Sequence, residues 1–254
     1  MTAPDAGIRW ERDGPVATVT LCRPDVLNAQ TPAMWGLLRD IGRDLPGDVR
    51  VVVVRGEGRA FSAGIDLAVA NGADGGFAGL AGLDPGAAAD EIAGYQAAFT
   101  WLGRPDIVSI AAVQGHAIGA GFQLALACDF RVVTSDAKFT MAEVSLGLVP
   151  DLGGTRPLLN LVGYARALEI CATGRRVGAE EAYAIGLANV VVPPSDLDEA
   201  VRDLAAAILS GARNAVVEIK ALLAGSADRT ADAQLRAERE AQVRRLRDLT
   251  GRGD

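Results

Sequence analysis

Histidine is nearly missing from this chain, with His116 the single example in 254 residues. Cysteine is scarce too: Cys22, Cys128 and Cys171 lie far apart and form no C-x-x-C pair. These shortages exclude a Cys/His metal site and a disulfide framework, and they suit a reduced compartment, so the expected location is cytoplasmic. No apolar run approaches the roughly 18 residues that span a bilayer. Met1 to Ile8 is polar and lacks the apolar stretch of a secretion signal. Positive charge is in deficit, with 25 Lys plus Arg against 32 Asp plus Glu and a net charge of −7. A surface of that sign repels polyanions, which argues against nucleic acid as a partner. No G-x-S-x-G elbow accompanies the histidine, and Ser62 sits instead in Ala-Phe-Ser-Ala-Gly, so a serine hydrolase is excluded. None of Tyr95, Tyr164 or Tyr183 is followed four residues later by lysine, as a short-chain dehydrogenase would require.

What is present is an ordinary globular composition. Half the residues are hydrophobic and 22% are charged, and the length allows a substantial core in one large domain or in one domain with a small appendage. Val16 to Leu21 alternates as a strand does, and Val49 to Val54 is β-branched almost throughout, as in a strand buried on both faces. Further strands are expected at Ile107 to Val113, Phe130 to Thr134, Lys138 to Met141 and Asn189 to Val192. Thr31 and Pro32 supply an N-cap and a first helical position for the segment that runs to Ile41. Strands alternating with helices imply an α/β architecture. From Ala179 onward the pattern is mostly helical, with Ser195 as candidate N-cap for Asp196 to Leu209, followed by helices over Arg213 to Leu223 and Thr230 to Leu246. Residues 68 to 89 hold six glycines and eight alanines, little large apolar surface to pack, so a mobile segment is expected there. It reads either as a lid or pocket wall or as an insertion in a surface loop.

Two glycine-loosened turns carry the chemistry. Arg59 to Asp66 follows the strand ending at Val54, and Gly115 to Gly121 follows the strand ending at Val113 and opens into the helical run Phe122 to Ala127. Two converging backbone N–H donors, one at a helix N-terminus, form an oxyanion hole. The glycines at 115, 119 and 121 also invite a dinucleotide reading, but they lie mid-chain, away from the context that motif needs. Alternatively the glycines serve only tight strand-to-helix packing.

Several dispersed stretches resemble one family. Phe61-Ser-Ala-Gly-Ile-Asp66, Ala111 to Gly121, Cys128-Asp129, Phe139 with Glu143, Gly147 to Thr155 and Thr173 to Ala182 are similar, in this order, to the enoyl-CoA hydratase/isomerase (crotonase) superfamily. The similarity starts near Val16 to Pro24 with Leu27-Asn28-Ala29 and fades after about Arg245. The resemblance implies a crotonase-like spiral of ββα units over residues 1–194, holding an acyl-CoA site, and a C-terminal helical trimerisation region over 195–254. It further implies a homotrimer or dimer of trimers, with no cofactor beyond coenzyme A as the thioester handle of the substrate.

Carried over residue by residue, the resemblance places the oxyanion donors at the N–H groups of Ile65 and Ala120, with Ala120 standing where the family has glycine. It places Ala63, Gly64, Asp66, Leu67 and Gly119 around the substrate and makes Glu143 the leading acid/base; otherwise Glu143 is a solvated surface carboxylate. Gln123 is a departure, because family hydratases carry a second glutamate here that helps to hold and activate water. An amide can orient water but cannot take its proton. Asp151 is either a second acid/base or a cap for the following helix. His116 is expected to pack or hydrogen-bond beneath the second turn. The resemblance, with Gln123 as its departure, thus implies an acyl-CoA enzyme inclined to double-bond isomerisation. The alternatives are a true hydratase using Glu143 with Asp151, or an acyl-CoA-binding homologue without turnover. Asp25 stands where many relatives have a basic residue, and Gly251 to Asp254 falls short of the final family helix. Arg244, Arg245 and Arg247 are therefore either substitutes for its CoA contacts or a solvated helix face.

Overall fold

The computed structural model describes residues 7–72 and 76–251. The chain runs through β1 (Ile8–Asp13), β2 (Val16–Leu21), α1 (Pro32–Arg43), β3 (Val51–Gly56), α2 (Leu67–Ala70), α3 (Gly76–Ala81) and α4 (Pro85–Thr100). It continues with β4 (Val108–Val113), β5 (His116–Ile118), α5 (Ala120–Ala127), β6 (Phe130–Thr134), β7 (Lys138–Thr140), α6 (Thr155–Val162) and α7 (Tyr164–Thr173). Then follow β8 (Arg176–Gly178), α8 (Ala179–Ala184), β9 (Val190–Val192), α9 (Leu197–Ser210), α10 (Arg213–Ala224) and α11 (Ala231–Leu249).

Two sheets share the work. The larger has the order β1-β2-β3-β4-β6-β9, parallel except for the β1/β2 hairpin, and the smaller has the order β5-β7-β8. Consecutive strands therefore step between sheets: β4 lies in the first and β5 in the second, then β6 in the first and β7 in the second, each pair followed by a helix. The turn after β3 joins the smaller sheet through a bridge between Ser62 and Ala117, giving a preceding coil of the same kind. This is the crotonase-like spiral, and each coil brings a loop from the end of a large-sheet strand to the start of a helix.

Period-two burial fixes the sheet between two cores. In β3, Val52 and Val54 face the main core with Trp35, Leu38, Phe61 and Phe122, while Val51 and Val53 face a second core closed by Leu197, Val201 and Ala205 of α9. Thr31 caps α1 as the sequence indicates, its hydroxyl accepting from Met34 N at 3.3 Å.

One expectation is corrected. Ser195 does not cap α9; Pro194 locks a 3₁₀ turn over Pro194–Asp196, α9 starts at Leu197, and Asp196 precedes it without a side-chain cap bond. The glycine and alanine segment, where described, holds α2, α3 and the start of α4. Asp84 caps α4 by accepting from Gly86 N at 3.0 Å and Ala87 N at 3.2 Å, with Pro85 at the first position. Alanine is the best helix former, and averaging it with glycine hides that signal.

Candidate active site

The first glycine turn is pinned on both edges. Towards β5, Ser62 N donates to His116 O at 2.9 Å and Ile118 N to Ser62 O at 3.0 Å; on the other edge, Gln30 N donates to Gly64 O and Asp66 N to Gln30 O, both at 2.7 Å. Polar groups of successive residues in an extended chain point to opposite edges. The N–H of Ile65, between Gly64 and Asp66, therefore points away from Gln30, and no acceptor meets it among the described residues. Gly64 has φ +91°, and a Cβ there would stand 2.6 Å from Ile118 O and 3.6 Å from Ala120 N. Only glycine allows the two turns to come this close.

Ala120 begins α5 behind Gly119, whose φ is +49° and whose N–H donates to Thr140 O at 2.8 Å. The positive φ falls on Gly119, so alanine at 120 takes helical geometry without strain. Its N–H is one of the first of the helix, without an intrahelical partner and at the positive end of the helix dipole. Ile65 and Ala120 thus each keep an unspent backbone donor beside the contact between the two turns.

Glu143 follows β7 and is only 9% exposed. Its Oε1 accepts from Gln123 Nε2 at 2.7 Å, while Oε2 is buried without a partner among the described residues. A Cβ on Gly119 would lie 3.4 Å from Oε1 and 3.8 Å from Oε2, which puts the carboxyl over the start of α5, next to Ala120. Burial pushes the Glu143 pKa up, and the negative charge of Asp151 adds to the shift, whereas the Gln123 bond opposes it. The solvated surface carboxylate is excluded.

Gln123 is 1% exposed, and its Oε1 accepts from Leu152 N at 2.9 Å and Gly154 N at 3.2 Å. Those two donors fix the amide, turning its NH₂ to Glu143. Burial raises the pKa of Asp151 as well. The capping role proposed for Asp151 is overturned: α6 begins at Thr155 behind Gly154 with no side-chain cap, and Gly153 at φ +88° turns the chain in between. The Asp151 carbonyl accepts from Gln96 Nε2 of α4 at 2.7 Å. A shielded carboxyl beside free N–H groups, with a second carboxyl acting on it, can move protons beside a carbonyl whose oxygen takes up charge. Among the described residues no group of three or more His, Cys, Asp or Glu could hold a metal ion, and no helix is long and apolar enough to cross a membrane.

Residues 11–249 match the family model described as enoyl-CoA hydratase/isomerase. The chain belongs to this family. A carnitinyl-CoA dehydratase from Salmonella typhi is 40% identical over 217 residues, covering 82% of this chain and 77% of the relative. A protein from Thermobifida fusca YX, assigned as an enoyl-CoA hydratase and solved in complex with CoA, is 48% identical with a TM-score of 0.89, over 97% of this chain and 95% of its own. The same protein in complex with acetoacetyl-CoA gives a TM-score of 0.90 at 48% identity, over 96% of each chain.

Within this family member the other expected positions are dispersed around the first turn. Ala63 is half-buried and donates its N–H to Leu27 O at 2.8 Å. The Asp66 carboxylate is engaged, accepting from Ala68 N at 3.0 Å and pairing with Arg23 at 2.9 Å, and Arg23 holds its pKa low. Leu67 is half exposed at the start of α2. His116 is half-buried in β5, with its carbonyl accepting from Ser62 N at 2.9 Å. Arg244 pairs with Glu218 of α10 at 2.7 Å, and Arg245 pairs with Asp248 at 2.7 Å. Gln96 was not legible, because it belongs to no motif and its partner lies 55 residues away. Gln30 was missed for the same reason; a buried glutamine in a loop leaves no periodic signal.

Proposed function

We propose that this enzyme acts on an acyl-CoA thioester and moves a double bond by proton transfer through an enolate. The Ile65 and Ala120 N–H groups hold the thioester oxygen. Glu143 takes the proton from the carbon beside the carbonyl, the negative charge flows to the held oxygen, and the same carboxyl returns the proton at a more distant carbon. The unpartnered Glu143 Oε2 over the start of α5 carries this reading, since it is the lone pair free to accept a proton. Gln123 supports isomerisation over hydration, because its amide is bound at both ends and has no proton-accepting group. CoA in the complexes of the Thermobifida fusca protein supports the thioester handle.

A second reading is hydration or dehydration by Glu143 with Asp151. The negative charge of Asp151 acting on Glu143 favours it, and so does the similarity to a carnitinyl-CoA dehydratase. Incubation with 2-enoyl- and 3-enoyl-CoAs in water labelled with deuterium and ¹⁸O separates them. Isomerisation gives deuterium at the two exchanging carbons and a shifted double bond without ¹⁸O. Net ¹⁸O incorporation abolished by Asp151→Asn would establish the second reading, and binding without either label would reduce the protein to an acyl-CoA carrier.

A further inference from the structure

Gln30 stands outside every motif, yet it is fully buried with its polar atoms all engaged. Its Oε1 accepts from Trp35 Nε1 at 2.8 Å, and its Nε2 donates to Ser62 Oγ at 3.0 Å. Ser62 Oγ in turn donates to Asn28 O at 2.8 Å and accepts from Gly64 N at 3.2 Å. Trp35, Gln30, Ser62 and Asn28 are all essentially inaccessible to solvent. The backbone of Gln30 grips the same turn through its bonds to Gly64 O and Asp66 N. One residue therefore holds the peptides on both sides of Ile65, and its side chain sets the hydroxyl that holds Gly64 N.

We infer that Gln30, buttressed by Trp35, is a positioning residue that orients the Ile65 N–H toward the substrate oxygen. The inference rests on the oxyanion-hole reading above. Its physical basis is that an oxyanion donor contributes through direction, so a displacement of about 1 Å can cost about 10²-fold in rate while leaving binding of the remote part of the ligand intact. Burial makes the relay specific. With no water to substitute, Ser62 Oγ has one geometry in which it donates to Asn28 O and accepts from both Gln30 and Gly64. Trp35 extends the relay to α4, because its ring lies 4.9 Å from that of Tyr95, next in sequence to the Gln96 that holds the Asp151 carbonyl. The donor loop and the acid/base loop are thus referenced to one helix.

The test uses Gln30→Met, which keeps the volume and removes both amide contacts. The double variant Gln30→Met with Trp35→Phe also removes the indole N–H that the single variant leaves unpaired. The probe is butyryl-CoA labelled with ¹³C at the thioester carbonyl, which carries no double bond to react. Isotope-edited infrared spectra of the bound probe should lose most of the carbonyl shift in both variants. On an enoyl-CoA substrate kcat should fall about 10²-fold with KM little changed. Without ligand, amide exchange in the peptide spanning 61–66 should rise while β4 and β6 stay protected. A carbonyl shift and 61–66 exchange like those of the unsubstituted protein in the double variant would overturn the inference. If the unsubstituted protein bound the probe with no carbonyl shift, the oxyanion-hole reading would fall instead, and the exchange data would still decide whether Gln30 holds the turn.

Discussion

The two oxygens of Glu143 occupy unlike surroundings, and the difference sets what each can do. Oε1 is satisfied by Gln123, whereas Oε2 is buried and unpartnered, a costly arrangement for a carboxylate that only packed. Glu143→Gln should lower proton exchange or isomerisation by about 10²–10⁴-fold with acyl-CoA binding kept, as measured by deuterium uptake and calorimetry. The same substitution should stabilise the fold. Because the native pKa of Glu143 is raised, the folded state keeps this proton to a higher pH than the unfolded chain does. The stability from this group is complete below the ordinary glutamate range near pH 4 and is lost as pH rises through the native pKa. The Tm advantage of Glu143→Gln should therefore be larger at pH 8 than at pH 4; equal offsets at both would mean that the carboxyl is not desolvated. Gln123→Glu should raise hydration relative to isomerisation, since it restores a water-activating group. The new charge would face Glu143 at hydrogen-bond distance and push its pKa higher still, so the rate of that variant should rise at a higher pH than that of the parent.

At the scale of elements, the site is made by the ends of strands rather than their middles. Gly64 is the point where the first turn meets the second, and alanine there would combine a positive φ with a Cβ 2.6 Å from a carbonyl oxygen. Gly64→Ala should cost about 1–3 kcal/mol in urea unfolding and remove most activity. Ala120→Gly should cost less than about 1 kcal/mol and keep the donor; equal losses in the two variants would contradict the division of roles between the turns. These joints were legible in sequence because glycine, proline and threonine act locally: Thr31-Pro32 marked α1, and the β-branched run marked β3. What was not legible acts at a distance or by exclusion. Asp151 sits where a cap belongs, but Gly153 turns the chain away from α6. Gln123 read as a lost function, while in the fold it fixes Glu143 and the turn at 152–154. Ser195 had the right chemistry for a cap, but Pro194 took the position into a 3₁₀ turn.

Across the whole molecule, the division at 194/195 is a proposal, and α9 beyond it closes the second core against Val51, Val53, Ile110 and Val132. α10 is tied down by Lys220, which reaches Asp129 Oδ2 at 2.6 Å and Ile107 O at 2.8 Å. α11 is attached differently. Among its described residues it buries only Ala241, and Arg244 ties it to Glu218 of α10 at 2.7 Å while Arg245 pairs with Asp248 of α11 itself; Leu235, Val243, Leu246 and Leu249 are at least half exposed, as are Ile219 and Leu223 of α10. Fully burying one leucine stabilises by roughly 1.5–3 kcal/mol, so this face holds enough unspent apolar area to drive self-association. We propose that this face is used in the expected homotrimer or dimer of trimers. Leu246→Asp with Leu249→Asp should leave the monomer fold intact, because both side chains face solvent within the chain, yet bring a buried charge into any interface they form. Sedimentation velocity should then show the assembly dissociating to monomer, with near-unchanged circular dichroism. An unsubstituted protein that sediments as a monomer, or a double variant that keeps the full assembly, would remove these helices from any role in association.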